Sequence, residues 1–270
     1  MIRYITAAPK TGSSYIAGAV ILMQTDRFNP EAHYRLYPPW WSRHTYWHDW
    51  DLVPELEPLL TGHFDTDLGN GGAVYKGHFW ATQKNIGVLE SGDGKLVIVL
   101  RSPLDTLTAQ YCSVLDDPYS ALYNPIYRIK HTEAFKDVDH GINELITGGY
   151  LFHLLTFYAD WLMLRDDHWG IVIDYEGFIE NPAEYMAIMA RLTERPYDLG
   201  ALQRNLKPLT EMYTKTEIPP EVYPRGWTGY HGVYENYFSA ENKSEFKRVY
   251  EAVSKVHPGM ELLREQYPGG

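Results

Sequence analysis

The sequence predicts an α/β fold with a mainly parallel central sheet flanked by helices, and three observations carry that reading. Apolar runs of strand length stand at Ile2 to Ala7, Lys95 to Leu100 and Gly170 to Tyr175. Each is followed by a turn and then by a stretch of helical periodicity. Nearly continuous apolar strands, rather than alternating ones, belong to a sheet covered by helices on both faces. Ligands of such sheets bind beyond the carboxyl ends of the strands, which makes the three turns the expected seat of the chemistry.

The first strand leads into a helix from Ser13 to Gln24, the second into one from Pro103 to Val114, and the third into one from Pro182 to Glu194. Pro182 suits the first turn of its helix, where its missing N–H has no partner to lose. Long helices are expected at Ile142 to Arg165 and at Ser239 to Val256, with Ser239 as N-cap. The stretch from Phe28 to Asn70 is aromatic-rich and irregular. No repeat, low-complexity tract or linker divides the chain, so residues 1–270 read as one domain.

Composition narrows the function. The 24 Lys+Arg against 35 Asp+Glu give a net charge of −11, which argues against a nucleic-acid partner held by bulk charge. The single cysteine, Cys112, excludes a disulfide scaffold and a thiolate zinc site, and a reducing, cytoplasmic setting is expected. The most apolar late run, Leu151 to Leu164, is interrupted by His153 and Asp160, so no membrane span is expected. Oligomeric state is left open by the sequence.

The first turn, Ala7-Ala8-Pro9-Lys10-Thr11-Gly12-Ser13-Ser14-Tyr15, has the parts of an anion cradle. It offers a lysine, hydroxyls and the backbone N–H groups of a helix start, and Gly12 permits close approach. It is not the nucleotide-triphosphatase loop, because the lysine precedes the glycine and no second glycine stands upstream.

The order Pro-Lys-x-Gly-Ser/Thr-Ser/Thr after an N-terminal strand resembles the 5′-phosphosulfate loop of the sulfotransferases that use 3′-phosphoadenosine 5′-phosphosulfate (PAPS). Three further segments are similar to that family, in its order. Arg101-Ser102-Pro103-Leu104-Asp105 matches its Arg-x-Pro element, although Ala109 stands where the family has a serine for the 3′-phosphate. Thr108 offers the nearest hydroxyl, about 100° round a helix. Asp174-Tyr175-Glu176 with Asn181-Pro182 resembles an element at the end of a later strand, and Gly229-Tyr230-His231-Gly232 with Asn236 and Phe238 resembles a C-terminal glycine-rich run.

The resemblance implies a phosphosulfate-binding strand-loop-helix and in-line transfer of a sulfuryl group from PAPS, leaving adenosine 3′,5′-bisphosphate (PAP), without a metal. It assigns cofactor binding to Lys10, Thr11, Gly12, Ser13, Ser14 and Tyr15 at the first loop, with Lys10 also stabilising the leaving phosphate. It assigns the 3′-phosphate to Arg101, Arg225 and Gly226, and adenine packing to Tyr175 and Tyr15. On residue chemistry alone, both tyrosines read as core residues and Arg101 as a surface partner of Asp105.

Transfer to a hydroxyl or amine needs a base, and a histidine titrates in the right range. Tyr75-Lys76-Gly77-His78-Phe79 is similar to the family's Lys-x-His element, so His78 is the implied base, with His63, His44 and His48 as runners-up. Four tryptophans between Trp40 and Trp50 would suit a hydrophobic small-molecule acceptor or a glycan, or else form a lid or a packed surface loop. Two other readings stay open: a noncatalytic nucleotide-binding remnant of the family, and a phosphotransferase of related fold.

Overall fold

The computed structural model describes residues 2–8, 11–13, 15–17, 19–20, 75–91, 95–116, 135–165, 168–193 and 232–268. Its elements, in chain order, begin with strand β1 (Ile2–Ala7), helix α1 (helical at 13, 15–17 and 19–20), β2 (Tyr75–Gly77), α2 (Gln83–Ser91), β3 (Lys95–Leu100) and α3 (Pro103–Asp116). They continue with α4 (Val138–Thr147), α5 (Tyr150–Leu164), β4 (Gly170–Asp174), α6 (Tyr175–Glu180), α7 (Pro182–Thr193), a 3₁₀ turn (Val233–Asn236), α8 (Ala240–Ser254) and α9 (Met260–Gln266).

These residues fall into two compact units. One lies within Met1–Ala7, Thr11–Leu100 and Arg165–Lys215, the other within Ala8–Lys10, Arg101–Leu164 and Thr216–Gly270. The first unit contains the four strands, paired in parallel in the order β2-β1-β3-β4. Alternate residues Ile5, Ala7, Val97, Val99 and Ile173 share a core with Tyr15, Ile16 and Val20 of α1 and with Met186 and Met189 of α7. Leu96, Ile98 and Leu100, of the opposite parity, are buried as well. Both faces of β3 are therefore covered, which is why its sequence is apolar without alternation.

The second unit is helical among its described residues. Tyr111 of α3 packs on Phe135, donates its hydroxyl hydrogen to the Phe135 carbonyl (3.2 Å), and lies against Gly141 of α4. The side-chain amide of Asn242 on α8 donates to Asp139 of α4. The connection from α8 to α9 is fastened to α5 by His257, whose Nε2 lies 3.0 Å from Asp160, and by Gly259, whose missing Cβ would stand 2.3 Å from the Ala159 carbonyl oxygen.

Several sequence expectations are corrected here. The helix expected from Ile142 to Arg165 is two helices. Gly148 closes α4 by donating to the Glu144 carbonyl (2.8 Å), and Gly149 adopts φ 105°, a conformation glycine reaches without steric cost. The third strand ends at Asp174 rather than Tyr175, because the Asp174 carboxylate accepts from the Gly177 N–H (2.8 Å) and so caps a short helix that Tyr175 opens. Helices α2 and α9 were not anticipated. The Ser239 cap is as expected, accepting from the Asn242 N–H (3.2 Å). No helix among the described residues is long and apolar enough to cross a membrane.

Candidate active site

The parallel register brings the four strand ends into one row. Thr6 pairs with Gly77, Ala7 with Val99, and Leu100 with Asp174. From β1 the chain moves to one side of the sheet to form β2, and β3 then lies on the other side of β1. That reversal is a topological switch point at the carboxyl ends of β1 and β3, the place where open parallel sheets bind ligands. The residues that follow the row along the chain are Ala8, His78, Arg101 and Tyr175.

After β1, Thr11 and Ser13 are buried and Gly12 turns with φ 79°. The Gly12 carbonyl accepts from the N–H groups of Tyr15 (3.0 Å) and Ile16 (3.3 Å), so the helix starts at the loop and its first-turn dipoles face it. A Cβ on Gly12 would stand 2.0 Å from Cε2 of Tyr175, so both the backbone angle and the neighbouring ring demand glycine. Tyr175 and Tyr15 are 2% and 1% exposed. The Tyr15 ring meets Phe178 edge-on with centroids 5.3 Å apart. Both tyrosines are thus buried in the core, with Tyr175 against the loop at Gly12. Lys10 and Ser14 lie outside the described residues.

His78 follows β2 directly, and its Nδ1 lies 2.6 Å from the Ala7 carbonyl oxygen. A carbonyl only accepts, so Nδ1 carries the hydrogen and the neutral ring has its lone pair on Nε2. The segment is pinned on both sides: Thr6 Oγ1 donates to the Phe79 carbonyl (2.9 Å), and the Asn85 side-chain amide donates to the Trp80 carbonyl (2.6 Å). A histidine is thereby tied to the residue from which the first loop departs.

In the second unit, Arg101 is 3% exposed and Asp105, in the first turn of α3, is fully buried. The surface ion pair read from residue chemistry is therefore corrected, since neither group is at the surface. Asp105 Oδ2 accepts from the Gly232 N–H (2.9 Å) and Oδ1 from the Tyr234 N–H (3.1 Å). The Thr108 hydroxyl, nearest to the serine position of the resemblance, donates its hydrogen to the Leu104 carbonyl (3.1 Å) inside α3. Ala109 is buried beside it. Arg225, Gly226, His44, His48, His63 and the Trp40 to Trp50 segment lie outside the described residues.

Charge is unevenly spread along the strand ends. At β4, burial and the carboxylates of Asp174, Glu184, Glu180 and Glu176 push the Tyr185 phenol above its ordinary value. The helix start after β1, in contrast, has the dipole direction that favours an anion. No group of three or more metal-ligating side chains occurs among the described residues. The sequence places Asp105 only as a surface partner of Arg101; the signal for its bond to Gly232 is an acidic residue in the Arg-x-Pro frame, whose partner stands 127 residues away.

By sequence, no protein-family model and no curated protein matches the chain. By structure, it is similar to mouse sulfotransferase SULT7A1 complexed with PAP, with TM-score 0.62 and 12% identity over 97% of this chain and 87% of that one. It is also similar to retinol dehydratase in complex with androsterone and inactive cofactor PAP, with TM-score 0.61 and 14% identity over 95% of this chain and 82% of that one. The retinol dehydratase complex with retinol and PAP gives 0.61 and 15% over 95% and 83%. Identities this low carry the fold alone. The parallel sheet, with an N-terminal strand that turns through Gly12 into a helix, is the fold of the PAPS-dependent sulfotransferases.

Proposed function

We propose that this chain is a sulfotransferase that transfers a sulfuryl group from PAPS to a hydroxyl or amine of a small-molecule acceptor, without a metal. The observation that carries the reading is His78, held by the Ala7 carbonyl at the switch point with its basic nitrogen at Nε2. The likeness to proteins crystallised with PAP supports the donor, and retinol dehydratase with androsterone or retinol supports a hydrophobic acceptor over a glycan. Coverage of 95% to 97% of the chain supports reading residues 1–270 as one sulfotransferase-like domain.

The first loop fits a phosphosulfate: a glycine-turned helix start presents backbone donors, and no side chain projects from Gly12. PAPS, when bound, supplies a sulfuryl group already activated by its anhydride link to phosphate. Lys10 and the N–H groups of Thr11, Gly12, Ser13 and Ser14 hold the 5′ end, and Lys10 neutralises charge on the departing phosphate. Arg101 and Arg225, with Gly226, hold the 3′-phosphate. Tyr15 and Tyr175 serve this site by shaping the loop from the core. His78 Nε2 takes the acceptor's proton, and the Ala7 carbonyl stabilises the imidazolium through Nδ1–H.

Thermal unfolding with ligands tests the reading. PAP should raise the melting temperature without divalent metal, and more than magnesium-ATP does, because a ligand that binds only the folded state stabilises it by mass action. A larger response to magnesium-ATP would make the protein a phosphotransferase. PAP binding without turnover on any phenolic or alcoholic acceptor would make it a noncatalytic binder.

A further inference from the structure

Asp105 is a fully buried carboxylate to which the catalytic reading gives no task. It stands in the first turn of α3, four residues after Arg101 in the chain. Its two oxygens accept from Gly232 (2.9 Å) and Tyr234 (3.1 Å), the N–H groups that open the 3₁₀ turn Val233–Asn236. Gly232 is left-handed at φ 75°, so its N–H and that of Tyr234 converge on a single side chain. N–H groups at the start of such a turn have no partner within it, and a carboxylate can satisfy two of them at once. The side chains of Phe238 and Asn242, just beyond the turn, are buried. Only a carboxylate serves both donors: an amide would offer one oxygen and turn its NH₂ toward the second N–H.

We propose that Asp105 is a positioning residue for the 3′-phosphate site. By holding the Gly232–Tyr234 turn to the first turn of α3, which opens two residues after Arg101, it fixes that turn against the Arg-x-Pro element before the cofactor arrives. It touches no reacting atom and acts through the groups it holds. This rests on the sulfotransferase reading, which supplies the 3′-phosphate.

Two measurements on the full chain test it. The first is amide hydrogen exchange in the ligand-free protein. Gly232 and Tyr234 should be protected in the wild type and should exchange at least about tenfold faster in Asp105→Asn, the loss expected from a charge-assisted hydrogen bond. Unprotected amides in the wild type overturn the proposal whether or not the variant folds. The second is calorimetric titration of PAP and of adenosine 5′-monophosphate, which lacks the 3′-phosphate. Asp105→Asn should weaken PAP about tenfold or more and the monophosphate by less than about twofold. Equal losses for the two ligands would reduce Asp105 to a structural contact and overturn the positioning role. Wild-type protein that binds no PAP fails the sulfotransferase reading and the positioning role with it, whereas wild-type binding with an unchanged variant overturns the positioning role alone.

Discussion

After β1, Gly12 turns left-handed against the ring of Tyr175, and His78 leans on a backbone carbonyl; neither contact involves a carboxylate. At the head of α3, a fully buried carboxylate gathers two backbone N–H groups. The two regions hold loops that the sulfotransferase reading assigns to the two ends of one cofactor, yet they do so by different physics. The first depends on shape, on a backbone angle and a ring that leaves no room for a Cβ. The second depends on charge, on an acceptor that only an ionised group supplies twice over. A shape-held loop should respond steeply to added volume and little to salt or conservative polar change. A charge-held loop should respond to the loss of one oxygen without any change in size.

The largest effect is expected at the shape-held region, in turnover. His78→Ala should lower the rate by about 100-fold to 10,000-fold while PAP affinity stays within about twofold, as for a general base that does not contact the cofactor. His78→Gln separates the two functions of the ring, because a glutamine amide can still donate to the Ala7 carbonyl but cannot take a proton. Steady-state kinetics on both variants should show equal loss. If His78→Gln works nearly as well as wild type, the tie to Ala7 is what matters and the base is elsewhere.

Next in size is Gly12→Ala, which meets two penalties at once. A left-handed backbone costs a residue with a Cβ about 1–2 kcal/mol, and crowding against the Tyr175 ring adds about 1–3 kcal/mol. Urea unfolding should therefore show a loss of about 2–5 kcal/mol. Tyr175→Ala relieves the crowding but not the backbone angle, so the double variant should be more stable than the sum of single losses predicts by roughly 1 kcal/mol or more. Strict additivity would mean that the ring does not shape the loop, and the contrast between the two regions would lose its first half.

Much of this arrangement was legible because it is local. The apolar runs at Lys95–Leu100 and Ile2–Ala7, the proline at the start of α7 and the serine before α8 each act within a few residues, and the structure bears them out. Residues 142 to 165 misled because the helical pattern continues through Gly148 and Gly149, and the penalty for two glycines is paid by conformation, not by hydrophobic period. Of the candidate site, the turns and His78 were visible as motifs. The Gly12–Tyr175 contact and the Asp105–Gly232 bond were not, because each joins residues more than a hundred positions apart, and no periodicity records such a pairing.

The smallest expected effects lie on α3, where they sharpen the charge-held side. Thr108 donates its hydroxyl hydrogen to Leu104, and a phosphate needs donors, so Thr108 has nothing left to offer one. Thr108→Val should leave PAP affinity within about twofold, and should change stability by about 1 kcal/mol or less, because a neutral bond within one helix is exchanged for a methyl group of similar size. Ala109→Ser supplies the hydroxyl at the position the resemblance marks. If α3 turns residue 109 toward the 3′-phosphate, this variant should tighten PAP by about 0.5–1.5 kcal/mol and leave adenosine 5′-monophosphate unchanged. Titration of both ligands against both variants decides between the two positions. A loss of PAP affinity in Thr108→Val would show that the hydroxyl leaves Leu104 for the phosphate when ligand binds. The site would then be completed by the helix itself, and Arg101, just before α3, would share the 3′-phosphate region with Asp105 and Thr108 of that helix.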